Sequence, residues 1–553
     1  MKKFKIWAAA LLGLAMLAPA FAACATKTPK ASADTLQIAV LAKGFGSDYL
    51  HALAADYQQR TGQKTLVTLE IPSSESFRLA TKAVNSGFDL LFECWPMISQ
   101  QLATKNYFDG YDVAYAELTD VYESPADPAY LEVQANPGFK IKDILNTTAT
   151  EMLRYRENGK LYSMPYVMDI TGLMYHKTLW DKDKTKLAAG NPSAGVPSIP
   201  VESLRLPKTT NEMFELFDRI KGVSGAGKRP YAFKYGGQNE ELSQLHSAWL
   251  GQYIGMEEME KFYEGKDANG KYTPDIFNQD GRKHALNAVR GMILKTNGYV
   301  DNGDSAKHIF NAEVDFLEGA SYFHCNGSWL DREASTNFEP GTVDAGFVRL
   351  PVVSAIVEKW PAVFTGGAAQ KDEQLRQVME YIDGDTAVKP SFLDGHDGVL
   401  AHLDAARRTV NSQSIGHPVL IPAYSPHIAE AKDFLRYMFS KAGQEVMLRA
   451  GLGNMGALNV NPSQFDAYNS DKITYLSKTK MELFGNSVLV TAIPTMYPMN
   501  YLGGYTRLGT SGPTMESAFG GASPQATETY MTTLFNNYSA NWQNWMGLAG
   551  VSN

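Results

Sequence analysis

A buried strand is predicted by the run Leu36-Gln37-Ile38-Ala39-Val40-Leu41, which lies between a polar linker and Gly44. Apolar residues then recur at helical spacing over residues 49–57, and Gly62 ends that pattern. A second strand is predicted at residues 66–71, a helix at 73–84 and a third strand at Asp89-Leu90-Leu91-Phe92. This β-α-β-α-β order predicts an α/β fold with a parallel sheet and right-handed crossovers.

Later segments continue the mixed pattern. Residues 171–176 are typical of another strand, and residues 246–263 favour a helix. Residues 425–450 carry a wide apolar stripe and predict one long helix.

The composition excludes several classes of protein. The chain has 553 residues, of which 44% are hydrophobic and 20% charged, so extensive disorder is excluded. Its 51 Lys and Arg against 59 Asp and Glu give a net charge of −8, and we expect no nucleic-acid partner. Three Cys are too few for a disulfide scaffold or a thiolate zinc cluster.

The N-terminus is typical of an export signal. Lys2, Lys3 and Lys5 precede an apolar run that is shorter than the roughly 20 residues needed to span a bilayer. Residues 1–23 carry three Lys and no acidic residue, so their removal changes the net charge from −8 to −11. We expect an exported protein.

Cys24 directly follows Phe21-Ala22-Ala23, which resembles the bacterial lipobox, although that motif usually has Leu in the position of Phe21. The resemblance implies that Cys24 becomes the lipidated first residue, with residues 24–34 as a flexible tether. The alternative is ordinary signal-peptide cleavage after Ala20-Phe21-Ala22, in which case Cys24 has no special role.

Four stretches together resemble the sugar-binding, maltodextrin-binding-like family of extracellular solute-binding proteins of ABC importers. They run from Gly159 to Trp180, from Leu206 to Met213, from Phe316 to Trp329 and from Ile421 to Gln444. His176 stands where the family commonly has Asn. Residues 352–416 fit the family pattern poorly.

The resemblance implies a two-lobed α/β fold of the periplasmic-binding-protein type II (Venus-flytrap) class, with a ligand cleft between the lobes. It implies the following division of the chain: signal peptide 1–23, tether 24–34, N-terminal lobe 35–166 with 418–455, C-terminal lobe and lobe-spanning helices 167–350 with 485–553, and a divergent insertion at 351–417.

Residues that directly follow a predicted strand are candidate ligand contacts, because ligands of α/β lobes bind beyond the carboxyl ends of strands. Phe45 and Ser47 follow the first strand, and Ser47 is either a ligand contact or a helix cap. Glu93 and Trp95 follow the third strand, and Trp95 is either a contact or a packed residue.

The family resemblance adds further candidates. Trp329 matches the pocket Trp of the family, and Asp169 lies at the predicted lobe crossing, as a ligand contact or a hinge hydrogen bond. Tyr497 and Tyr501 match a C-terminal stretch that brings aromatic residues to the cleft, with packing as the alternative.

The sequence therefore predicts a monomeric, lipid-anchored protein on the outer face of the cell membrane. It would capture a carbohydrate, an oligosaccharide in the first place, and deliver it to ABC permease subunits, with no catalysis, cofactor or metal. His396, Asp397 and His402 match no known metal-ligand spacing. One alternative is the same fold binding a peptide, polyamine or metal, and another is a secreted glycoside hydrolase whose carboxylate pair has no sequence motif. A third is a chemoreceptor-feeding or adhesion role without transport.

Overall fold

The computed structural model describes residues 34–42, 44–81, 86–93, 115–153, 159–237, 241–335, 338, 344–492, 497–504 and 513–553. Its strands are β1 (Thr35–Leu41), β2 (Lys64–Ile71), β3 (Leu90–Phe92), β4 (Met164–Pro165), β5 (Thr171–His176), β6 (Tyr231–Lys234), β7 (Ser321–Gly327), β8 (Ala345–Phe347), β9 (Thr409–Asn411), β10 (Pro418–Leu420) and β11 (Val488–Val490).

The helices surround two sheets. In chain order they are α1 (Asp48–Thr61), α2 (Ser74–Thr81), α3 (Thr119–Tyr122), α4 (Leu131–Ala135), α5 (Ile141–Ile144), α6 (Thr147–Leu153), α7 (Lys177–Ala189), α8 (Thr210–Ser224), α9 (Glu241–Ile254), α10 (Met256–Glu264), α11 (Asp280–Ile293), α12 (Ile309–Leu317), α13 (Leu330–Ala334), α14 (Ala368–Ile382), α15 (Asp397–Arg408), α16 (Ile428–Met438), α17 (Lys441–Ala450), α18 (Tyr475–Phe484), α19 (Pro498–Gly503), α20 (Met515–Phe519) and α21 (Thr527–Ala549).

The first sheet has the strand order β2-β1-β3-β10-β4. β1 runs parallel to both β2 and β3, and Ile38 lies opposite Val67 on one side and Leu90 on the other. All seven residues of β1 are buried, as expected for a central strand with parallel neighbours. The three strands predicted between residues 36 and 92 are confirmed.

The second sheet has the order β11-β9-β5-β7-β6, and β8 pairs with β5 outside that path. β6 runs parallel to β7, whereas β5 runs antiparallel to it with Thr171 opposite Gly327. Helices pack around each sheet, so the molecule has two α/β lobes, and the predicted two-lobed fold is confirmed.

The chain passes between the lobes three times. The first crossing leads from Pro165 at the end of β4 to Thr171 at the start of β5, and the second returns from Asn411 at the end of β9 to Pro418 at the start of β10. The third lies between α17, which packs on α1, and α18, which packs on β8.

The divergent insertion predicted at 351–417 lies with the second lobe. It supplies β9 to the second sheet and helices α14 and α15 beside it. The His402 ring contacts the Gln252 carbonyl of α9 through Nε2 at 2.9 Å, so α15 is anchored on a helix of that lobe.

The predicted long helix over residues 425–450 is wrong, because the structure has two helices there. The hydroxyl of Ser440 accepts a hydrogen bond from the backbone N–H of Gly443 and caps α17. A Cβ on Gly443 would lie 2.2 Å from the carbonyl oxygen of Tyr437, so glycine permits the close turn between the helices. The helix predicted over 246–263 is likewise divided, at Gly255 with φ +84°.

Candidate functional site

In each sheet, a strand ends beside the segments at which the chain crosses between the lobes. Phe92 at the end of β3 lies opposite Val419 near the start of β10, and Gly327 at the end of β7 lies opposite Thr171 at the start of β5. Because β10 and β5 are the strands by which the chain enters each sheet from a crossing, the carboxyl ends of β3 and β7 face the same region between the lobes. This is the edge at which α/β sheets bind ligands.

Asp169 joins the first and second crossings. Its carboxylate is fully buried. Oδ1 accepts a hydrogen bond from the hydroxyl of Ser328 at 2.7 Å, and Oδ2 lies 3.2 Å from Nε2 of His417. Its backbone N–H donates to the hydroxyl of Ser414 at 2.7 Å, and its carbonyl accepts from Ser412. Since buried polar groups are costly unless paired, this network fixes the geometry of the hinge.

Aromatic rings of the first lobe surround His417. The ring of Phe45 lies edge-on at 5.3 Å from the imidazole, and that of Tyr166 at 6.0 Å. Tyr166 also meets Phe92 edge-on at 5.0 Å. The turn after β1 and the first crossing therefore meet at the imidazole of the second crossing, and Tyr166 links them to the end of β3.

Trp329 follows the end of β7 and is only partly buried. Its ring lies over Gly327, where a Cβ would come within 2.2 Å of Cη2. Its Cβ also approaches Gly44 of the other lobe, where an added Cβ would lie 3.3 Å away. Two glycines thus leave room for the indole between the end of β7 and the turn after β1.

Arg332, on α13, extends this contact across the lobes. Its Nη1 lies 3.0 Å from Oδ2 of Asp48 at the start of α1. Its guanidinium also lies against Gly46, where a Cβ would be 3.2 Å from Nε. Both side chains of the ion pair are exposed, so it contributes at most modestly to stability.

The third crossing brings a buried lysine to the same region. Asp331, two residues after Trp329, accepts hydrogen bonds from Thr474 at 2.5 Å and from Ser477 at 2.8 Å. Burial lowers the pKa of Lys480 to about 8, although the negative charges of Asp331 and Asp169 act to raise it. Lys480 is 1% exposed, and its ammonium makes no ion pair within the described part of the chain.

Four of the predicted contacts lie together at this interlobe region. They are Phe45, Glu93, Asp169 and Trp329. Glu93 is 1% exposed, and its backbone N–H donates to the carbonyl of Pro418 at 3.1 Å, at the end of the second crossing. Their role as ligand contacts stays a prediction.

Two other predicted contacts have partners within their own lobes. The hydroxyl of Ser47 donates to the carboxylate of Glu70 and makes no cap hydrogen bond to α1, so the cap interpretation of Ser47 is wrong. Tyr497 is 4% exposed and packs against Tyr263, with ring centroids 5.3 Å apart, inside the second lobe. Ligand contact by Ser47 and Tyr497 stays a prediction.

Two predicted residues, and the side chain of a third, lie outside the part of the chain that the structure describes. Trp95 and Cys24 are outside the described residues. Tyr501 lies on α19, and its side chain is outside the described part.

Sequence reasoning missed His417, Ser328, Arg332 and Lys480. His417 stands at the last position of the divergent insertion predicted at 351–417, and Lys480 is one of three lysines within residues 472–480. Ser328 was within reach, because it directly precedes Trp329 in the Gly-Ser-Trp motif.

A sequence profile of the bacterial extracellular solute-binding proteins matches residues 52–473. The chain belongs to this family. No curated protein is similar enough in sequence to count as a match.

A solved structure supports the fold of this extracellular solute-binding protein. The protein designated binding protein MsmE of Bacillus subtilis subsp. subtilis strain 168, crystallised in an open conformation, aligns with a TM-score of 0.51. The alignment covers 94% of this chain and 99% of the other at 15% identity, and therefore speaks for the fold alone.

Family membership makes the chain an ABC-type solute-binding protein with an extracytoplasmic place of action. Within the described residues, no helix is both long and apolar enough for a membrane span. The same residues contain no group of three His, Cys, Asp or Glu side chains arranged to hold a metal ion.

Proposed function

We propose that this solute-binding protein captures a carbohydrate, in the first place an oligosaccharide, between its two lobes and delivers it to the permease of an ABC importer. The observation that carries the proposal is the position of Trp329. A partly exposed indole stands at the end of β7, beside the Gly44 turn of the opposite lobe and next to Ser328, which binds Asp169.

Sugar chemistry matches these groups. A pyranose ring offers an apolar C–H face, which stacks on an indole, and hydroxyls at its rim, which need donors and acceptors. Carboxylate, hydroxyl and imidazole groups surround the indole in the hinge network of Asp169, Ser328 and His417. We propose that Phe45, Glu93, Trp95, Tyr497 and Tyr501 add contacts as the lobes close, together with Ser47.

Closure supplies the signal for transport. A ligand held by one lobe favours the closed state only through contacts that the open state lacks. Hydroxyls buried by closure must all be paired, because an unpaired buried donor costs about 1–3 kcal/mol. The importer subunits then bind the closed form, and the protein itself alters no covalent bond.

The proposed site of action is the outer face of the cell membrane, with the protein attached as a monomer through lipidated Cys24. Two or more acyl chains hold a protein stably, whereas one short chain does not. Metabolic labelling with an alkyne fatty acid tests this. Label in the native chain and none in Cys24→Ala is the expected result, and equal label in both would contradict the anchor.

A thermal-shift screen of the mature chain tests the ligand class. The expected result is a rise in Tm with one or more oligosaccharides, which is lost in Trp329→Ala and partly kept in Trp329→Phe, since Phe retains an aromatic face. Unfolding of each variant without ligand is the control for folding.

Other outcomes of the screen identify the alternatives. A shift with a peptide or polyamine and with no glycan would replace the sugar by another solute in the same fold. Steady turnover of a chromogenic glycoside, absent in a heat-denatured control, would replace binding by hydrolysis.

A further inference from the structure

The second lobe contains a fully buried arginine. Arg282, near the start of α11, is 1% exposed. Its guanidinium lies within a cage of three rings, at 5.1 Å from the centroid of Phe277, 5.7 Å from Tyr538 and 5.9 Å from Phe262. These rings come from three different elements, so the cage is built by tertiary packing rather than by one helix.

The cage provides no opposite charge. Across the described residues, no carboxylate comes within ion-pair distance of Arg282, and the Tyr538 hydroxyl is the one side-chain acceptor beside its nitrogens. The hydroxyl of Tyr538 is neutral and supplies no counter-charge: burial raises its pKa, and the charge of Arg282 and its hydrogen bond to the hydroxyl oppose that rise. Ring faces interact with the face of a guanidinium, but its N–H edge needs acceptors.

A second buried group lies on α9, the helix that packs against α11. His246 of α9 is completely buried, and neither ring nitrogen has a hydrogen-bond partner within the described part of the chain. Burial, together with the neighbouring charge of Arg282, holds the pKa of His246 well below its usual range. The imidazole is therefore neutral and has one N–H to donate.

We infer that Arg282 and His246 form a buried binding site for a small monovalent anion of the halide class, chloride being the abundant example. A guanidinium cannot lose its proton, so a buried one requires a counter-charge. A water molecule would accept the N–H hydrogens but leave the charge uncompensated. A monatomic anion supplies both the acceptor and the charge, and it is small enough to lie at the edge of an aromatic cage.

The site lies in the packing between α9, α11 and α21, elements of the second lobe that do not supply the hinge network. The inference is therefore separate from the proposed function. The anion would stabilise the lobe as a structural ligand, and solute capture could be right or wrong without affecting it.

Crystals of the mature protein soaked in sodium bromide give the decisive measurement. The expected result is an anomalous bromide peak within hydrogen-bond distance of the Arg282 guanidinium and the His246 ring. Water density there, or bromide only at surface positions, overturns the inference.

Thermal unfolding in sodium chloride against sodium gluconate at equal ionic strength gives a second readout. Chloride at saturating concentration should raise Tm by about 2–4 °C. Arg282→Met should lose this rise, whereas Arg290→Met should keep it, since Arg290 on the same helix donates to the Gln525 carbonyl at 2.9 Å instead. An equal chloride response in Arg282→Met would contradict the site, and if that variant does not fold, the bromide experiment decides.

Discussion

The hydroxyl of Ser328 donates a hydrogen bond of 2.7 Å to Oδ1 of Asp169. The bond joins the first lobe crossing to the end of β7, over a separation of 159 residues. It places the residue before Trp329 on the hinge itself, so the aromatic candidate and the acidic candidate belong to one structural unit.

Ser328→Ala tests this bond. Removing the hydroxyl leaves a fully buried carboxylate oxygen without its donor and the Ile170 N–H without its acceptor, and we expect the free energy of unfolding in urea to fall by about 1–3 kcal/mol. Ser335→Ala is the matched control, because its hydroxyl donates to the Arg332 carbonyl in an exposed turn. Equal stability of the two variants would mean that the hinge bond contributes nothing.

Gly327→Ala tests the placement of the indole. The new Cβ would lie 2.2 Å from the ring of Trp329, so the ring must move. We expect a shift in Trp fluorescence, a loss of stability of about 1–3 kcal/mol and weaker binding of whichever ligand the screen identifies.

The control for this substitution is Gly547→Ala on α21, where an added Cβ meets nothing within 4 Å. It should bind ligand normally and be slightly more stable, since alanine favours a helix over glycine. Unchanged fluorescence and affinity in Gly327→Ala would separate the indole from ligand capture.

Lys480→Met tests how the buried lysine affects the pH dependence of stability. The folded protein lowers the pKa of Lys480 from 10.5 to about 8, so between these values the unfolded chain binds more protons and stability rises with pH. Lys480→Met should remove this rise and increase stability at pH 7 by about 3 kcal/mol.

Lys478→Met, two positions away on α18 and partly exposed, is the control and should follow the native pH dependence. The comparison uses urea unfolding at pH 7, 8, 9 and 10. A Lys480→Met variant that is less stable than the native protein at pH 7 would show that the ammonium stabilises the third crossing.

Glu516→Gln tests a buried carboxylate whose effect on the pH dependence of stability is opposite to that of Lys480. Glu516 is 3% exposed, and burial raises its pKa from 4.5 to about 7. Between these values the folded state binds more protons than the unfolded chain, so stability falls as pH rises, by up to about 3 kcal/mol.

The glutamine variant should lack that decline, while Glu257→Gln, whose carboxylate is 87% exposed, should retain it. Unfolding at pH 5, 6, 7 and 8 makes the comparison. Parallel curves for the native chain and Glu516→Gln would contradict a buried, protonated Glu516.

Local patterns in the sequence were sufficient for much of the fold. The strands β1, β2 and β3 were predicted because each is a short apolar run between turn residues, a property that neighbouring residues encode. The helix over 425–450 was predicted as one element because its apolar stripe is continuous, yet the Ser440 cap and the close approach at Gly443 divide it. Such a break depends on how the two halves pack.

The sequence by itself determined the α/β class and the family and selected Trp329 as a candidate contact, because these follow from periodicity and from short motifs. Only the tertiary structure brought Ser328, His417 and Lys480 to Asp169, paired Ser47 with Glu70 and enclosed Arg282 in aromatic rings. The physical reason is that these contacts join residues far apart in the chain. Their partners are selected by the three crossings and by the packing of helices on the two sheets, which no local pattern contains.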